Sequence, residues 1–118
     1  MNLQDQISGI VLTPDSPGYD GARRVWNAMV DRRPRLIVRC SGSDDVVAAI
    51  RYGRENGLEI GVRCGGHSVV GHAVPEDGLV IDLTPMSDVK VDPGRRRAWV
   101  QGGALLGALD RASQPHGL

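Results

Sequence analysis

The 118-residue sequence predicts an α+β fold with α/β character, in which helices pack on a small mixed sheet that contains a βαβ unit and a hairpin. Apolar strand patterns at residues 36–40 and 58–64 flank an amphipathic helical pattern at 43–56, and this order predicts two parallel strands joined by a helix. A Pro-Gly turn at 93–94, between two further strand patterns, predicts the hairpin. Aromatic residues make up only 3% of the chain and Phe is absent, so the core must consist of Val, Leu, Ile and Ala.

The N-terminal residues 1–18 contain Ser, Gly, Pro and Asp with weak periodicity. This composition predicts a loose arm that holds at most one short strand, at Ile10–Leu12. A helical pattern opens at Asp20 and continues with apolar residues at helical spacing as far as Met29. We therefore predict that the folded domain comprises residues 19–118.

The helix at 43–56 carries signals at both of its ends. Ser43 is a residue type favoured at the N-cap, and Asp44 and Asp45 lie in the first turn, where the helix dipole favours negative charge. Gly57 follows the last apolar position and is a typical C-terminal stop. These signals predict a helix that begins at Ser43 and ends just before Gly57.

Three strand patterns and one more helix follow a glycine-rich loop. The predicted strands lie at 79–83, 88–92 and 96–101, and the predicted helix lies at 104–112. Trp26 and Trp99 are predicted to be buried, because each falls on the apolar side of its element. Asp82 ends an apolar run, which favours a strand-end cap over an acid catalyst.

Composition and charge exclude several classes of function. Fourteen basic residues balance fourteen acidic ones, so nucleic-acid binding by bulk charge is not expected. The longest apolar run, 46–50, is far below the roughly 20 residues of a membrane span, and the N-terminus lacks the pattern of a secretory signal. Cys40 and Cys64 are too few for a disulfide framework and indicate reduced thiols in a cytoplasmic protein.

The loop that follows the strand at 58–64 holds the most reactive residue types. Gly65 and Gly66 let the backbone bend so that successive N–H groups converge, which forms a nest for a phosphate or diphosphate. Arg63 adds a cation, Ser68 adds a hydroxyl donor, and His67 is available as a nucleophile, base or ligand. A tight turn with a solvated histidine is equally compatible with the local pattern.

Three related motifs do not match this loop. The dinucleotide fingerprint requires a helix after its glycines, whereas a turn and another strand follow here. Gly66 and Gly71 have the spacing of a Walker loop, but His72 stands where that loop requires Lys. Cys64, His67 and His72 resemble zinc ligands, but no fourth ligand has suitable spacing. No metal site is therefore predicted.

Five ordered blocks together resemble a known family. They are Arg-x-Gly-Gly-His-Ser at 63–68, Gly-Leu-Val-Ile-Asp-Leu at 78–83, Val-Asp-Pro at 91–93, Val-Gln-Gly-Gly-Ala at 100–104 and His-Gly-Leu at 116–118. In this order and spacing they are similar to the FAD-linked oxidases of the vanillyl-alcohol oxidase / p-cresol methylhydroxylase (PCMH-type) superfamily, in particular its berberine-bridge-enzyme-like branch. The resemblance covers roughly residues 19–118.

The resemblance implies that the chain binds FAD and forms the first subdomain of a PCMH-type FAD-binding domain. His67 matches the histidine that, in this branch, bonds covalently to a methyl group of the flavin, which a neutral imidazole can attack once the flavin tautomerises. The overall reaction would be oxidation of a small organic substrate by hydride transfer to flavin, which dioxygen commonly reoxidises. The implied cofactor-binding residues are Arg63, Cys64, Gly65, Gly66, His67, Ser68, Gly71, Gly102, Gly103 and Ala104.

The sequence departs from the family pattern in two respects. Family members are much longer and carry their substrate-binding domain and catalytic base after the position of residues 116–118, so we expect this chain to be an N-terminal portion that is inactive alone. Cys64 stands where a small residue is expected. The alternative is a non-catalytic α/β association module that binds no FAD by itself, because exposed sheet edges and apolar faces favour self-association.

Overall fold

The computed structural model describes residues 2–24, 31–64 and 73–118. Helices and strands alternate in the N-terminal half, and four consecutive strands of the described residues precede the last helix. The elements are α1 (Leu3–Gln6), β1 (Ile10–Leu12), α2 (Tyr19–Arg23), β2 (Leu36–Arg39), α3 (Ser43–Glu55), β3 (Ile60–Arg63), β4 (Leu79–Asp82), β5 (Val89–Asp92), β6 (Arg97–Val100), α4 (Leu106–Ser113) and a 3₁₀ turn (Gln114–His116).

Four strands form a mixed sheet in the order β1-β2-β4-β3. Strands β2 and β3 are both parallel to β4, and β1 is antiparallel to β2. The predicted βαβ unit is confirmed, since α3 connects two parallel strands of one sheet. These strands are not neighbours, however, because β4 lies between them.

Strand β4 occupies the centre because its four residues are all buried. Its side chains alternate between the two faces of the sheet, and each face has its own apolar cluster. Leu79 and Ile81 pack with Val38 and Ala49 on the face that α3 and α1 cover. Val80 packs on the opposite face with Ile37, Leu12, Tyr19, Ala73 and Val74. The core is aliphatic, as predicted, with Tyr19 as its buried aromatic residue among the described positions.

The helix α3 matches its prediction in length and at its C-terminus. Gly57 adopts φ +63°, its N–H donates to the Arg54 carbonyl at 3.3 Å, and Leu58 N–H donates to the Gly53 carbonyl at 2.9 Å. This pair of bonds is the Schellman arrangement that glycine permits. The predicted N-cap at Ser43 is wrong: Gly42 occupies the cap position and provides no side-chain cap.

The N-terminal arm is packed onto the sheet and not loose, so this prediction is wrong for residues 2–12. Leu3 is 3% exposed, and β1 pairs with β2 at the predicted position. The backbone N–H groups of Ser8 and Gly9 each donate to the Asp45 carboxylate at 2.9 Å. The arm is ordered by hydrogen bonds to a residue remote in sequence, which weak local periodicity does not reveal.

The C-terminal part forms the predicted hairpin, in which Asp92 pairs with Arg97 across the turn. Trp99 is 54% exposed and lies with its ring 6.0 Å from Lys90 Nζ, so the prediction that it is buried is wrong. The hairpin forms its own two-stranded sheet and does not extend the four-stranded one. For the first predicted helix, the described part is Tyr19–Arg23, and Trp26 and Met29 lie outside the described residues.

Helix α4 begins at Leu106, slightly later than the predicted start at residue 104. Its N-terminal leucines are strongly exposed, with Leu105 at 61% and Leu106 at 79%. Over the described parts of the chain, the helices are too short or too polar to cross a bilayer.

The carboxylate of Asp45 generates a test of how the arm is attached. Burial acts to raise the pKa of Asp45, but hydrogen bonds from Ser41, Ser8 and Gly9 together hold that pKa below its usual value. A carboxyl group whose pKa is lowered by folding stabilises the folded state at a pH above its unfolded-state pKa of about 3.9. This stabilisation is lost as the pH falls through its folded-state pKa. We expect Asp45→Asn to lower the free energy of unfolding at pH 7 by about 1.5–3 kcal/mol.

Urea unfolding of the wild type and Asp45→Asn at pH 7 and at pH 3 measures this contribution. The difference between the two proteins should shrink at pH 3, because this pH lies below the unfolded-state pKa and the unfolded wild type then gains a proton on Asp45. Asp44→Asn, at the exposed neighbouring position, is the control and should change stability by less than about 1 kcal/mol. Equal stability of Asp45→Asn and the wild type at pH 7 would contradict the role of Asp45.

Candidate functional site

The carboxyl ends of three parallel strands meet at one edge of the sheet, and each ends in a charged residue. The register pairs Arg39 of β2 with Asp82 of β4, and Arg63 of β3 with the same Asp82. In open α/β sheets, ligands bind outside the carboxyl ends of the strands. The edge formed by these three residues, which we call the carboxyl edge, is therefore the candidate site.

Asp82 lies at the centre of the carboxyl edge and is 1% exposed. Its Oδ1 accepts hydrogen bonds from the Thr84 backbone N–H at 2.9 Å and the Thr84 hydroxyl at 2.7 Å. Arg39 Nε lies 3.5 Å from Oδ2, and one Arg63 terminal nitrogen lies 3.9 Å from Oδ1. The predicted strand-end cap is confirmed: Asp82 holds the turn at Thr84 and lies between two guanidinium groups.

Arg63, a predicted cofactor residue, connects two parts of the chain. Its side chain is only 18% exposed, and its Nε donates to the Arg24 backbone carbonyl at 3.0 Å. This bond joins the end of β3 to the residue that follows α2. The guanidinium is therefore positioned by contacts on two sides.

An open cavity of about 300 Å³ lies against the carboxyl edge. Its walls combine the charged edge with the start of α2, and they consist of Gly18, Gly21, Ala22, Arg39, Arg63, Asp82 and Thr84. The two arginines and one aspartate give this wall a net positive charge. Such a lining fits an anionic group that accepts hydrogen bonds from guanidinium donors.

The second predicted segment, Gly102 to Ala104, packs against the turn that follows β4. A Cβ on Gly103 would lie 1.6 Å from the Leu83 carbonyl oxygen, and Gly103 N–H already donates to the Met86 carbonyl at 3.0 Å. This approach brings the Ala104 carbonyl 3.7 Å from Cys64 Sγ. Gly103 therefore allows the close packing that places Ala104 beside Cys64.

The structure brings together the described part of the predicted set: Arg63, Cys64 and Ala104 lie at or next to the carboxyl edge. Gly102 and Gly103 lie behind them against the turn after β4. The remaining predicted residues fall outside the described residues, and so does His72, so their roles stay predictions. They are Gly65, Gly66, His67, Ser68 and Gly71.

Six residues that line the cavity were not among the predicted cofactor-binding residues: Gly18, Gly21, Ala22, Arg39, Asp82 and Thr84. The usable signal for Arg39 was a charged residue at the end of each apolar strand. That pattern shows that Arg39, Arg63 and Asp82 lie together only when the strand order is known, because β2 and β3 lie on either side of β4.

The two cysteines differ in their surroundings, and the structure contains both as free thiols. Burial raises the pKa of the Cys40 thiol to about 11, so Cys40 stays protonated and unreactive near neutral pH. Cys64 is half-buried and lies immediately before the glycine-rich loop. Both cysteines directly follow an arginine of the carboxyl edge, but the Cys40 side chain is buried in the core and Cys64 is the more accessible of the two.

Comparison with known proteins gives a consistent result. The model of the FAD-binding domain family matches residues 34–118. The chain is 39% identical over 112 residues to (R)-6-hydroxynicotine oxidase of Paenarthrobacter nicotinovorans, which covers 95% of this chain and 24% of the relative. It is 43% identical over 93 residues to berberine bridge enzyme-like D-2 of Nicotiana tabacum, over 72% of this chain and 16% of that protein.

Solved structures show the same similarity. 6-Hydroxy-D-nicotine oxidase from Arthrobacter nicotinovorans superposes with a TM-score of 0.94 at 38% identity, covering 99% of this chain and 25% of that one. Wild-type BBE-like 1 of Physcomitrella patens superposes with a TM-score of 0.84 at 25% identity, covering 95% and 26%. The chain thus spans about a quarter of the length of the two nicotine oxidases that it matches.

The packing of Gly103 generates a test of the site's architecture. Gly103→Ala forces a Cβ into the Leu83 backbone, and we expect a loss of about 3 kcal/mol in the free energy of unfolding. Gly94→Ala is the matched control, since its Cβ would lie 3.5 Å from the nearest atom, Asp92 Oδ1. Chemical unfolding of the two variants measures the difference in their free energies of unfolding. Equal stability would show that the packing against Leu83 does not require glycine at position 103.

Proposed function

The chain belongs to the FAD-binding domain family, and from this premise we propose that it forms the FAD-binding part of an oxidoreductase that oxidises a small organic substrate by hydride transfer to FAD. The observation that carries the proposal is the pair of arginines beside an open cavity at the carboxyl edge. The similarity to flavin oxidases over almost the whole chain supports it. FAD, when bound, supplies the hydride acceptor.

The described residues fit the anionic part of FAD. Arg39 and Arg63 contribute cations, and Thr84 contributes a hydroxyl at the edge of the cavity. The glycines at positions 18 and 21 leave open space, because a Cβ there would meet no atom within 4 Å. These features favour a diphosphate held by guanidinium groups.

We propose that the predicted cofactor-binding residues hold FAD in different ways. We propose that the amides of the paired glycines Gly65 and Gly66, with Ser68, cradle the diphosphate. The Gly103 N–H is committed to the Met86 carbonyl, so we propose that Gly103 shapes the cavity wall and does not donate to the cofactor. The other proposed FAD-binding residues are Arg63, Cys64, Gly71, Gly102 and Ala104.

We further propose that His67 tethers FAD covalently. The proposal rests on the motif that this chain shares with the berberine-bridge-enzyme-like branch, and on the position of His67 three residues after Cys64, which lies at the carboxyl edge. A covalent bond prevents loss of the cofactor. Its presence is independent of whether the chain is catalytically active.

Substrate recognition and cellular location also remain proposals. We propose that a small organic substrate is bound by residues outside the 118 of this sequence, because the chain matches only a quarter of the length of its relatives. The two free thiols favour a cytoplasmic location. We propose that residues 19–118 form the FAD-binding unit and that the N-terminal arm packs against it.

A second candidate function has one observation in its favour. Large apolar side chains are exposed together on the C-terminal part: Trp99, Val100, Leu105 and Leu106 are between 46% and 79% exposed. Such a surface is typical of an interaction site. A non-catalytic association module that binds no FAD by itself would use it.

The experiment that separates these functions uses the chain as it stands. We titrate the wild type with FAD, follow its elution on a sizing column, and measure flavin in the acid precipitate after incubation. FAD binding by a monomer supports the proposed function. Absence of FAD binding together with elution as an oligomer contradicts it and favours the association module.

The variant His67→Ala tests the tether separately from binding. We expect it to release its flavin into the acid supernatant, while the wild type retains flavin in the precipitate. His72→Ala is the control and should behave as the wild type. Flavin that remains in the precipitate of His67→Ala would rule out a bond through His67.

A further inference from the structure

We infer that Arg39, at the end of β2, is the residue whose side chain binds a phosphate group of the ligand in the cavity at the carboxyl edge. Arg63 and Asp82 position the site without being its principal phosphate contact. This inference deepens the proposed function and rests on it for the identity of FAD as the natural ligand. The binding of a phosphate group by Arg39 can be tested without FAD.

The charge at the carboxyl edge favours an anion. Two guanidinium groups lie near a single carboxylate, that of Asp82. That carboxylate is 1% exposed and already accepts two short hydrogen bonds from Thr84. One positive charge therefore remains uncompensated at the cavity wall.

The two arginines differ in how far the protein already engages them. The side chain of Arg63 is 18% exposed, and its Nε makes a well-formed bond of 3.0 Å to the Arg24 carbonyl. The side chain of Arg39 is 43% exposed. Within residues 2–24, 31–64 and 73–118, its partners are Asp82 Oδ2 and Thr84 Oγ1, each at 3.5 Å.

Distances of 3.5 Å are longer than those of good hydrogen bonds. The Arg39 guanidinium can therefore reorient toward a ligand at small cost, whereas reorientation of Arg63 would break its Nε bond, which leaves this less exposed arginine only its terminal nitrogens for a ligand. A guanidinium has five N–H donors in a planar fork that matches the geometry of phosphate oxygens. Arg39 is thus the cation best able to contact an incoming phosphate.

The cavity has room for such a group. Its volume of about 300 Å³ is at the lower end of ordinary ligand sites. The wall opposite the strands is formed by Gly18, Gly21 and Ala22, so no large side chain obstructs the approach. The ligand class is a phosphate or diphosphate ester, of which FAD and free ADP are two sources.

The test uses isothermal titration of the intact chain with inorganic pyrophosphate, ADP, FAD and riboflavin. We expect Arg39→Gln to weaken pyrophosphate, ADP and FAD binding by about tenfold or more, with no effect on riboflavin. Arg39→Lys should retain part of the affinity, because it keeps the charge but loses the planar fork. Arg95→Gln is the matched control, since Arg95 is 72% exposed in the hairpin turn.

The outcomes separate this inference from the proposed function. A wild type that does not bind pyrophosphate, or an Arg39→Gln variant that binds it as tightly as Arg95→Gln, overturns the inference. Pyrophosphate binding that depends on Arg39 supports the inference even if FAD does not bind, in which case the proposed function fails. Tighter binding of FAD than of ADP identifies FAD as the source of the phosphate group.

A second measurement does not depend on the folding of any variant. In the wild type, pyrophosphate should shift the Nε–Hε NMR signal of Arg39 more than that of Arg63, and should leave that of Arg95 unchanged. A larger shift for Arg63 than for Arg39 would reverse the assignment.

Discussion

The parallel pairing of β2 and β3 to the two sides of β4 is the constraint on which the candidate site depends. This register places Arg39 and Arg63 on either side of Asp82. Because side chains alternate along a strand, a slip by one residue would move each side chain to the opposite face of the sheet and separate these groups. The apolar run of β4, buried on both faces of the sheet, holds the register, and the charged cluster at its end follows from it.

The N-terminal arm supports the same edge from its other side. A Cβ on Gly9 would lie 1.9 Å from the Arg39 carbonyl oxygen, so the arm packs directly on the backbone of the residue to which we assign phosphate binding. Asp45 holds this contact by accepting from Gly9, Ser8 and Ser41. The two buried carboxylates therefore lie at one end of the sheet: Asp45 holds the arm against the backbone of Arg39, and Asp82 lies beside the Arg39 side chain.

Local patterns predicted the elements whose causes are local. Helix α3, its stop at Gly57 and the β5–β6 hairpin follow from periodicity and turn chemistry within a few residues. The packing of the arm was not predictable, because it depends on Asp45, which lies more than thirty residues away. Trp99 was expected in a core because its strand alternates, but the hairpin forms a sheet of its own and leaves that side chain exposed.

The same distinction applies to the site. The glycine-rich segments were recognisable from sequence, since paired glycines and their spacing are local signals. Arg39 was not, because its relation to Arg63 arises only when β4 is inserted between two strands that the chain order presents as neighbours. Gly103 was predicted as a cofactor-binding residue, and the structure shows that it packs against Leu83, which the sequence could not reveal.

The most direct measurement of the central claim is a map of where FAD binds. We would titrate the ¹⁵N-labelled chain with FAD and follow its backbone amide signals by NMR. We expect the largest shifts at the carboxyl edge, in residues 39–41, 63–64 and 82–84. Shifts confined to the outer face of α3 or to the hairpin, with the carboxyl edge unchanged, would contradict it.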